Sequence, residues 1–503
     1  MIGAHGADSG TRGDRTGASY ILFGKAEGFG ATIDLTTIAS GTGADGFVVL
    51  GEDAGDAAGF AISSAGDVNG DGFADLLIGT EIGNSYVLFG KSTDFSPVVH
   101  LAVIANGNGS EGFTLYGEDS RDLAGWELGS AGDINGDGFD DIVIGAMSAD
   151  GADDTKSYAG ASYVVFGKAD GFGASVELAA IAAGNGGFVI HGEDAEDRSG
   201  WSVATAGDIN GDGFDDLAIG AIWSAGAGKI APFAGAAYVI FGRDFTSTVT
   251  HAGGGGADTL TGTSGADIMV AGLGSDTLNG GAGGADAMSG GAGDDVFIVA
   301  GAGFRRVDGG SGNDTLRLNS AGLTFDLTAI PNSRIQGIEA ITITGSGNNT
   351  LRLTALEVLN LSDTSNTLRV TGNAGDALTL LDTGWTGVGV AGGFRNYTKG
   401  EAKLIVSAAV AVEVDVPPLL PPSDLTLVYF ARATAYEKGL FFSEGFLQAP
   451  ANHVAAGYRI SEHFRVASEP QFYAVALGSD TSGPVLAIRG TTGTFLDLSL
   501  IHI

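Results

Sequence analysis

The sequence predicts a mainly β protein assembled from repeats, and three observations carry that prediction. Short runs of β-branched and aromatic residues alternate with Gly-rich turns along 503 residues, of which 87 are Gly. One acidic loop is written three times, at offsets of 66 and 75 residues, in step with a longer repeating unit. A separate nine-residue Gly/Asp period begins near residue 253. No strict three-residue period accompanies the Gly excess, which excludes a collagen-like chain. The apolar content of 44% is ample for a core.

The acidic loop reads Asp67-Val-Asn69-Gly-Asp71-Gly-Phe73-Ala-Asp75, then Asp133-Ile-Asn135-Gly-Asp137-Gly-Phe139-Asp-Asp141, then Asp208-Ile-Asn210-Gly-Asp212-Gly-Phe214-Asp-Asp216. Side-chain oxygens stand at positions 1, 3, 5 and 9, and the backbone carbonyl of the Phe is the expected donor at position 7. Hard oxygens gathered on a tight turn, without His or Cys, suit Ca²⁺ rather than a transition metal. An EF-hand would need a bidentate Glu at position 12 and flanking helices. Position 12 is Ile78, Ile144 or Ile219, inside β-type runs, so that reading fails. An Asx-rich turn without a ligand would explain one copy, but not three in frame with a larger repeat.

The larger unit organises residues 1–250. Gly51-Glu-Asp recurs at Gly117 and Gly192, and each acidic loop leads into an apolar run ending in Gly (Gly79, Gly145, Gly220). Each unit closes on Tyr86-Val-Leu-Phe-Gly90, Tyr163-Val-Val-Phe-Gly167 or Tyr238-Val-Ile-Phe-Gly242. Four strands in such a unit describe a propeller blade. These residues resemble the FG-GAP repeats of integrin α-chain propellers and their bacterial relatives. Three full units and one partial unit are read. Met1-Ile-Gly-Ala matches the middle of a blade, and Tyr20-Ile-Leu-Phe-Gly24 ends it. The family's propellers usually have seven blades, so the expectation is a chain lacking its N-terminal part, with open sheet edges. Phe60, Trp126 and Trp201 hold equivalent positions and read as blade core.

Residues 253–317 carry the nine-residue period. Its Asp residues are Asp258, Asp267, Asp276, Asp286 (after a one-residue insertion) and Asp295, with a detached copy ending at Asp314. An apolar residue stands two places after each Asp: Leu260, Met269, Leu278, Met288, Phe297 and Leu316. A flexible Gly-rich linker would not keep that spacing. The Gly-Gly-x-Gly-x-Asp pattern resembles the RTX proteins, which implies a parallel β-roll whose stacked turns share Ca²⁺. Without metal the stacked carboxylates should repel and the roll should unfold.

Residues 318–415 alternate with period two, as in Ile341-Thr-Ile343 and Leu351-Arg-Leu353, and read as a β-rich, solenoid-like continuation. Pro-rich residues 416–424 read as a stiff linker. Residues 425–503 read as a short α/β fragment. Val485-Leu-Ala-Ile-Arg-Gly-Thr491 resembles the early strand and loop of class 3 lipases, which implies an oxyanion-hole role for Thr491. The nucleophile elbow Gly-x-Ser-x-Gly occurs nowhere, so no catalytic residue is assigned and the chain is expected to be inactive on esters.

A net charge of −36 opposes nucleic acid and anionic membrane as partners. No run of 18 apolar residues is present, so no membrane-spanning helix is expected. Met1-Ile-Gly-Ala-His5 shows neither the charged nor the apolar region of a Sec signal. The absence of Cys excludes disulfides and thiolate metal sites, and calcium could take the stabilising role that disulfides often play outside the cell. Arg12-Gly-Asp14 is a weak three-residue match to an integrin-recognition tripeptide, and the seven His show no metal or triad spacing. The expected function is a secreted or cell-surface calcium-binding protein of structural or adhesive type. The RTX resemblance implies type I secretion with folding on Ca²⁺ outside the cell. The integrin resemblance implies a cell-surface protein or glycan as partner. The rival reading is a fragment of a secreted lipase or esterase with accessory calcium modules.

Overall fold

A continuous apolar run along a strand lets its sheet bury both faces, and the repeats build four sheets in succession. In the third, Ile142 and Ile144 of strand Asp141–Ala146 face the second sheet, and Val143 faces the fourth. The computed structural model describes residues 1–414 except 9–14, 26–28, 94, 120, 153–154, 227–230, 232 and 363–364. The tripeptide at Arg12, the linker and the lipase-like segment with Thr491 lie outside the described residues.

The third sheet is an antiparallel meander of Ala124–Gly132, Asp141–Ala146, Ala161–Val165 and Gly187–His191. The second repeats it with Ile62–Gly66, Asp75–Gly79, Asn84–Leu88 and Gly112–Tyr116, and adds Ser175–Glu177 in parallel. The first sheet begins at Ile2–Ala4 and likewise gains a parallel strand, Val98–His100. The fourth has three strands, Ser199–Gly207, Asp216–Ala221 and Ala236–Ile240. The sheets do not close into a ring.

The sequence unit and the sheet are offset by one strand. The run that leads into each Gly-Glu-Asp pairs with the closing strand of the preceding unit: Ala18 faces Leu50, and Val165 faces Gly187. Each parallel addition then crosses to an earlier sheet and ties neighbours together. After Phe245 the chain makes no such addition; His251–Ala252 instead opens the next domain, pairing with Ile268–Val270. Phe60, Trp126 and Trp201 stack from sheet to sheet at ring distances of 4.7 and 5.5 Å, half-buried rather than enclosed.

From His251 the chain winds as a parallel solenoid. Alternate nonapeptides lie on opposite faces, so one coil is two repeats, and Thr277 stacks beside Thr259 and Val296 beside Thr277. The apolar residue after the Asp points inward: Met269, Leu278, Met288, Phe297 and Leu316 are all at most 2% exposed, and Leu260, in the first coil, is partly buried against the same core. The same hydrophobic core runs on through Leu351, Leu368, Leu378 and Leu404, so residues 318–414 continue the roll with longer coils, interrupted by an antiparallel hairpin of Thr386–Ala391 and Phe394–Lys399 that pairs with Ala402–Ser407.

Candidate metal centres

Each acidic loop turns its oxygens inward because its own amides demand acceptors. Asp133 takes the amides of Asp137 (2.9 Å) and Gly138 (2.8 Å), and Asn135 Oδ1 also accepts from Asp137. Asp137 accepts from Phe139. Asp67, Asn69 and Asp71 repeat this arrangement, as do Asp208, Asn210 and Asp212. The ninth residue does a different job. Asp75, Asp141 and Asp216 each take one amide from the second loop residue and one from the closing Gly: Gly90, Gly167 or Gly242. They lock the loop to its own sheet and are at most 2% exposed.

Burial leaves these carboxylates short of positive charge. It pushes Asp67 up to about 6, Asp75 to about 8 and Asp137 to about 6, and it raises Asp133, Asp141 and Asp208 as well. Asp67 Oδ1 is buried with no hydrogen-bond partner. Among the described residues no three acidic or imidazole side chains converge as a metal cluster. The oxygens gathered in each loop are those of Asp carboxylates and one Asn amide, a hard-oxygen set of the kind Ca²⁺ takes. The rings of Phe139 and Phe214 lie over Gly70 and Gly136 of the preceding loop, and Phe73 is exposed.

Sequence reasoning missed the eighth loop position. Asp140 Oδ2 accepts the amide of Asp67 at 2.7 Å, and Asp215 Oδ2 that of Asp133 at 2.8 Å, so each loop clasps the one before it. The available signal was that the first loop has Ala74 there, while the later two have Asp.

In the roll the carboxylates form ladders. The amide of Asp258 donates to Asp276 at 2.6 Å, that of Asp276 to Asp295 at 2.7 Å, and that of Asp295 to Asp314 at 2.7 Å. The opposite side pairs Asp267 with Asp286 at 3.0 Å. Asp286 and Asp314, whose frames look broken in the sequence, therefore stand in register, each 19 residues from its partner. The interval before Gly309 is not a gap but the other half of the coil, where Arg305 and Arg306 replace a nonapeptide and bond to the carbonyl of Asp286.

One oxygen of each of Asp276, Asp295 and Asp314 is buried with no partner. Repeat glycines leave a cradle beside the oxygens of Asp295 and Asp314. A Cβ on Gly290 would lie 2.3 Å from Asp295 Oδ2 and 2.7 Å from the Gly309 carbonyl. Carboxylate and carbonyl oxygens thus line one small space, and the residues fit a divalent cation. Burial raises Asp276, and raises Asp295 to about 6 and Asp314 to about 8.

The acidic loops and the roll touch. Arg305 donates to the Asp137 carbonyl (2.6 Å) and lies over Phe139, while Ser333 reaches Asp67 Oδ2. Arg306, 8% exposed, bonds Asp140 at 2.7 Å and Asp308 at 3.0 Å. Burial opposes its charge, but Asp140, Asp308, Asp133 and Asp215 outweigh that and push its pKa up. A cavity of about 260 Å³ beside it is lined by Asp133, Asp208, Asp215, Asp308 and Gln336.

Comparison with known proteins matches both repeat systems. The FG-GAP repeat model matches residues 58–88, 124–165 and 199–240, and the RTX calcium-binding nonapeptide repeat model matches 252–284, 281–297 and 297–320. The chain carries FG-GAP repeats followed by RTX calcium-binding repeats. Relatives include the phosphatidylinositol-glycan-specific phospholipase D of Homo sapiens, 32% identical over 34% of this chain and 19% of that protein. The Bos taurus protein of the same name is 30% identical over the same shares. Integrin alpha pat-2 of Caenorhabditis briggsae is 31% identical over 32% of this chain and 13% of that protein. The chain spans less than a fifth of the length of these relatives. The RTX repeats imply Ca²⁺ binding, and no helix among the described residues is long and apolar enough to cross a membrane.

Proposed function

We propose that this chain is an extracellular calcium-binding protein of structural or adhesive type, folding on Ca²⁺ after type I secretion. The ligands are the loop residues Asp67 to Asp75, Asp133 to Asp141 and Asp208 to Asp216, at the positions named above, together with the ladder residues Asp258, Asp267, Asp276, Asp286, Asp295 and Asp314. The observation that carries the reading is the row of buried, unpartnered carboxylate oxygens on Asp276, Asp295 and Asp314, the last two beside oxygen-lined cradles at Gly290 and Gly309. A buried carboxylate without a partner costs several kcal/mol, and a divalent cation removes that cost. The partner class that fits an arc of FG-GAP blades is a cell-surface protein or glycan. Purified full-length protein stripped with EDTA should gain far-UV circular dichroism signal for β structure as Ca²⁺ is added, and Mg²⁺ should substitute poorly. A spectrum indifferent to calcium would sink the reading.

A further inference from the structure

We propose that Glu339, beyond the matched RTX repeats, is a ligand of a terminal calcium site that closes the roll's metal ladder, and that the coils after it need no metal. The proposal rests on the calcium reading above. In the ladder each amide donates to the carboxylate one coil on, from Asp258 to Asp276, Asp295 and Asp314. Asp314 makes the same bond to Glu339 Oε2 at 2.9 Å, 25 residues on. Glu339 therefore occupies the next rung, although it stands outside any Gly-Gly-x-Gly-x-Asp frame and its coil is longer.

Asp314 supplies the second, independent observation. It is fully buried and its Oδ2 has no partner. A Cβ on Gly309 would lie 2.8 Å from that Oδ2 and 1.9 Å from the carbonyl of Gly337. The cradle at Gly290 and Asp295 is thus repeated one coil later. Its carbonyl comes from Gly337, two residues before Glu339. Two carboxylates and a main-chain carbonyl suit a hard divalent cation.

On the ladder itself the residue beside Glu339 one coil on is Leu368, which offers no side-chain oxygen. Along a different sheet of the same coils, Thr350–Leu353 and Ala377–Leu380, the corresponding turn positions are satisfied without metal. Asn349 replaces a carboxylate: its Oδ1 accepts from Leu323, its Nδ2 donates to Ile343, and its amide donates to Asp376 Oδ1. Asp376 Oδ2 accepts from Asn373. Neither side chain has a buried oxygen without a partner. Main-chain partners satisfy both side chains, so neither calls for a cation.

The test is calcium stoichiometry by equilibrium dialysis and elemental analysis of the full chain, with Glu339→Gln and Asp376→Asn beside wild type. The Gln oxygen still accepts the Asp314 amide, so the ladder geometry is kept while the charge is lost. Glu339→Gln should bind one calcium fewer, and Asp376→Asn the wild-type number. An unchanged count for Glu339→Gln overturns the proposal. Wild type binding no calcium would overturn the wider reading instead. Thermal unfolding gives a second readout if the count is blurred by poor folding. Glu339→Gln should melt below wild type in calcium, yet at or above it in EDTA, where one repelling charge beside Asp314 is gone. A variant that melts lower in both conditions contradicts a ligand role.

Discussion

At the scale of single residues, the account turns on carboxylates buried beyond their supply of positive charge. Asp75, Asp295 and Asp314 have folded-state values raised by burial to about 8, 6 and 8, against an unfolded value of 3.8. A group whose value is raised on folding binds more protons in the native state. Without metal, its stabilising contribution is full below the unfolded value and is lost as pH rises through the folded one. The calcium-free protein should therefore melt at a lower temperature at pH 8 than at pH 5. Saturating calcium should reverse the order, because the cation competes with the proton for the same oxygens. A calcium-free melting point that climbs from pH 5 to pH 8 would contradict the assignment of these groups. Arg306 is the opposite case, a buried cation among acids. Arg306→Met should cost about 3–5 kcal/mol, the usual loss when one partner of a buried ion pair is removed. Chemical denaturation in calcium measures it, and a change under ~1 kcal/mol would show the contact to be incidental.

Elements couple through the clasp between successive loops. Gly132 has φ +68, and a Cβ there would lie 2.2 Å from Asp215 Oδ2. Gly207 has nearly the same φ, +65, but open space around it, since no further loop reaches back to it among the described residues. Gly207→Ala should cost only the left-handed strain, about 1–2 kcal/mol. Gly132→Ala should cost clearly more, because it also displaces the clasp. Equal losses in thermal unfolding would mean that the clasp contributes nothing.

This contrast also marks what the sequence discloses. Loop positions 1, 3 and 5 stand out because one short turn carries them all, and the nonapeptide because its period is strict, while the ninth residue's tie to the closing Gly, 15 to 26 residues on, does not. The clasp was not legible either, since Asp140 and Asp215 act on a neighbouring loop that lies 73 and 82 residues away. The sheet boundaries were shifted by one strand because a blade's last strand follows its closing motif after a long connection. Glu339 was invisible for a related reason: a coil lengthened to 25 residues breaks the period while keeping the rung.

For the whole molecule, the acid loops of the blades and the roll are one charged assembly rather than two independent modules. The loops meet the roll at Arg305, Arg306 and Ser333, and Ser289 donates to the Gly213 carbonyl at 2.7 Å. With a net charge of −36, cations bound at the proposed sites would relieve repulsion both within each ladder and across this contact. The most direct measurement is an anomalous difference map from crystals of the full chain grown in calcium. The account predicts density at the cradle of Gly290 and Asp295, at that of Gly309 and Asp314, and within the three loops that begin at Asp67, Asp133 and Asp208. Well-ordered crystals with no density at any of these places, at calcium concentrations above those of extracellular fluid, would contradict it.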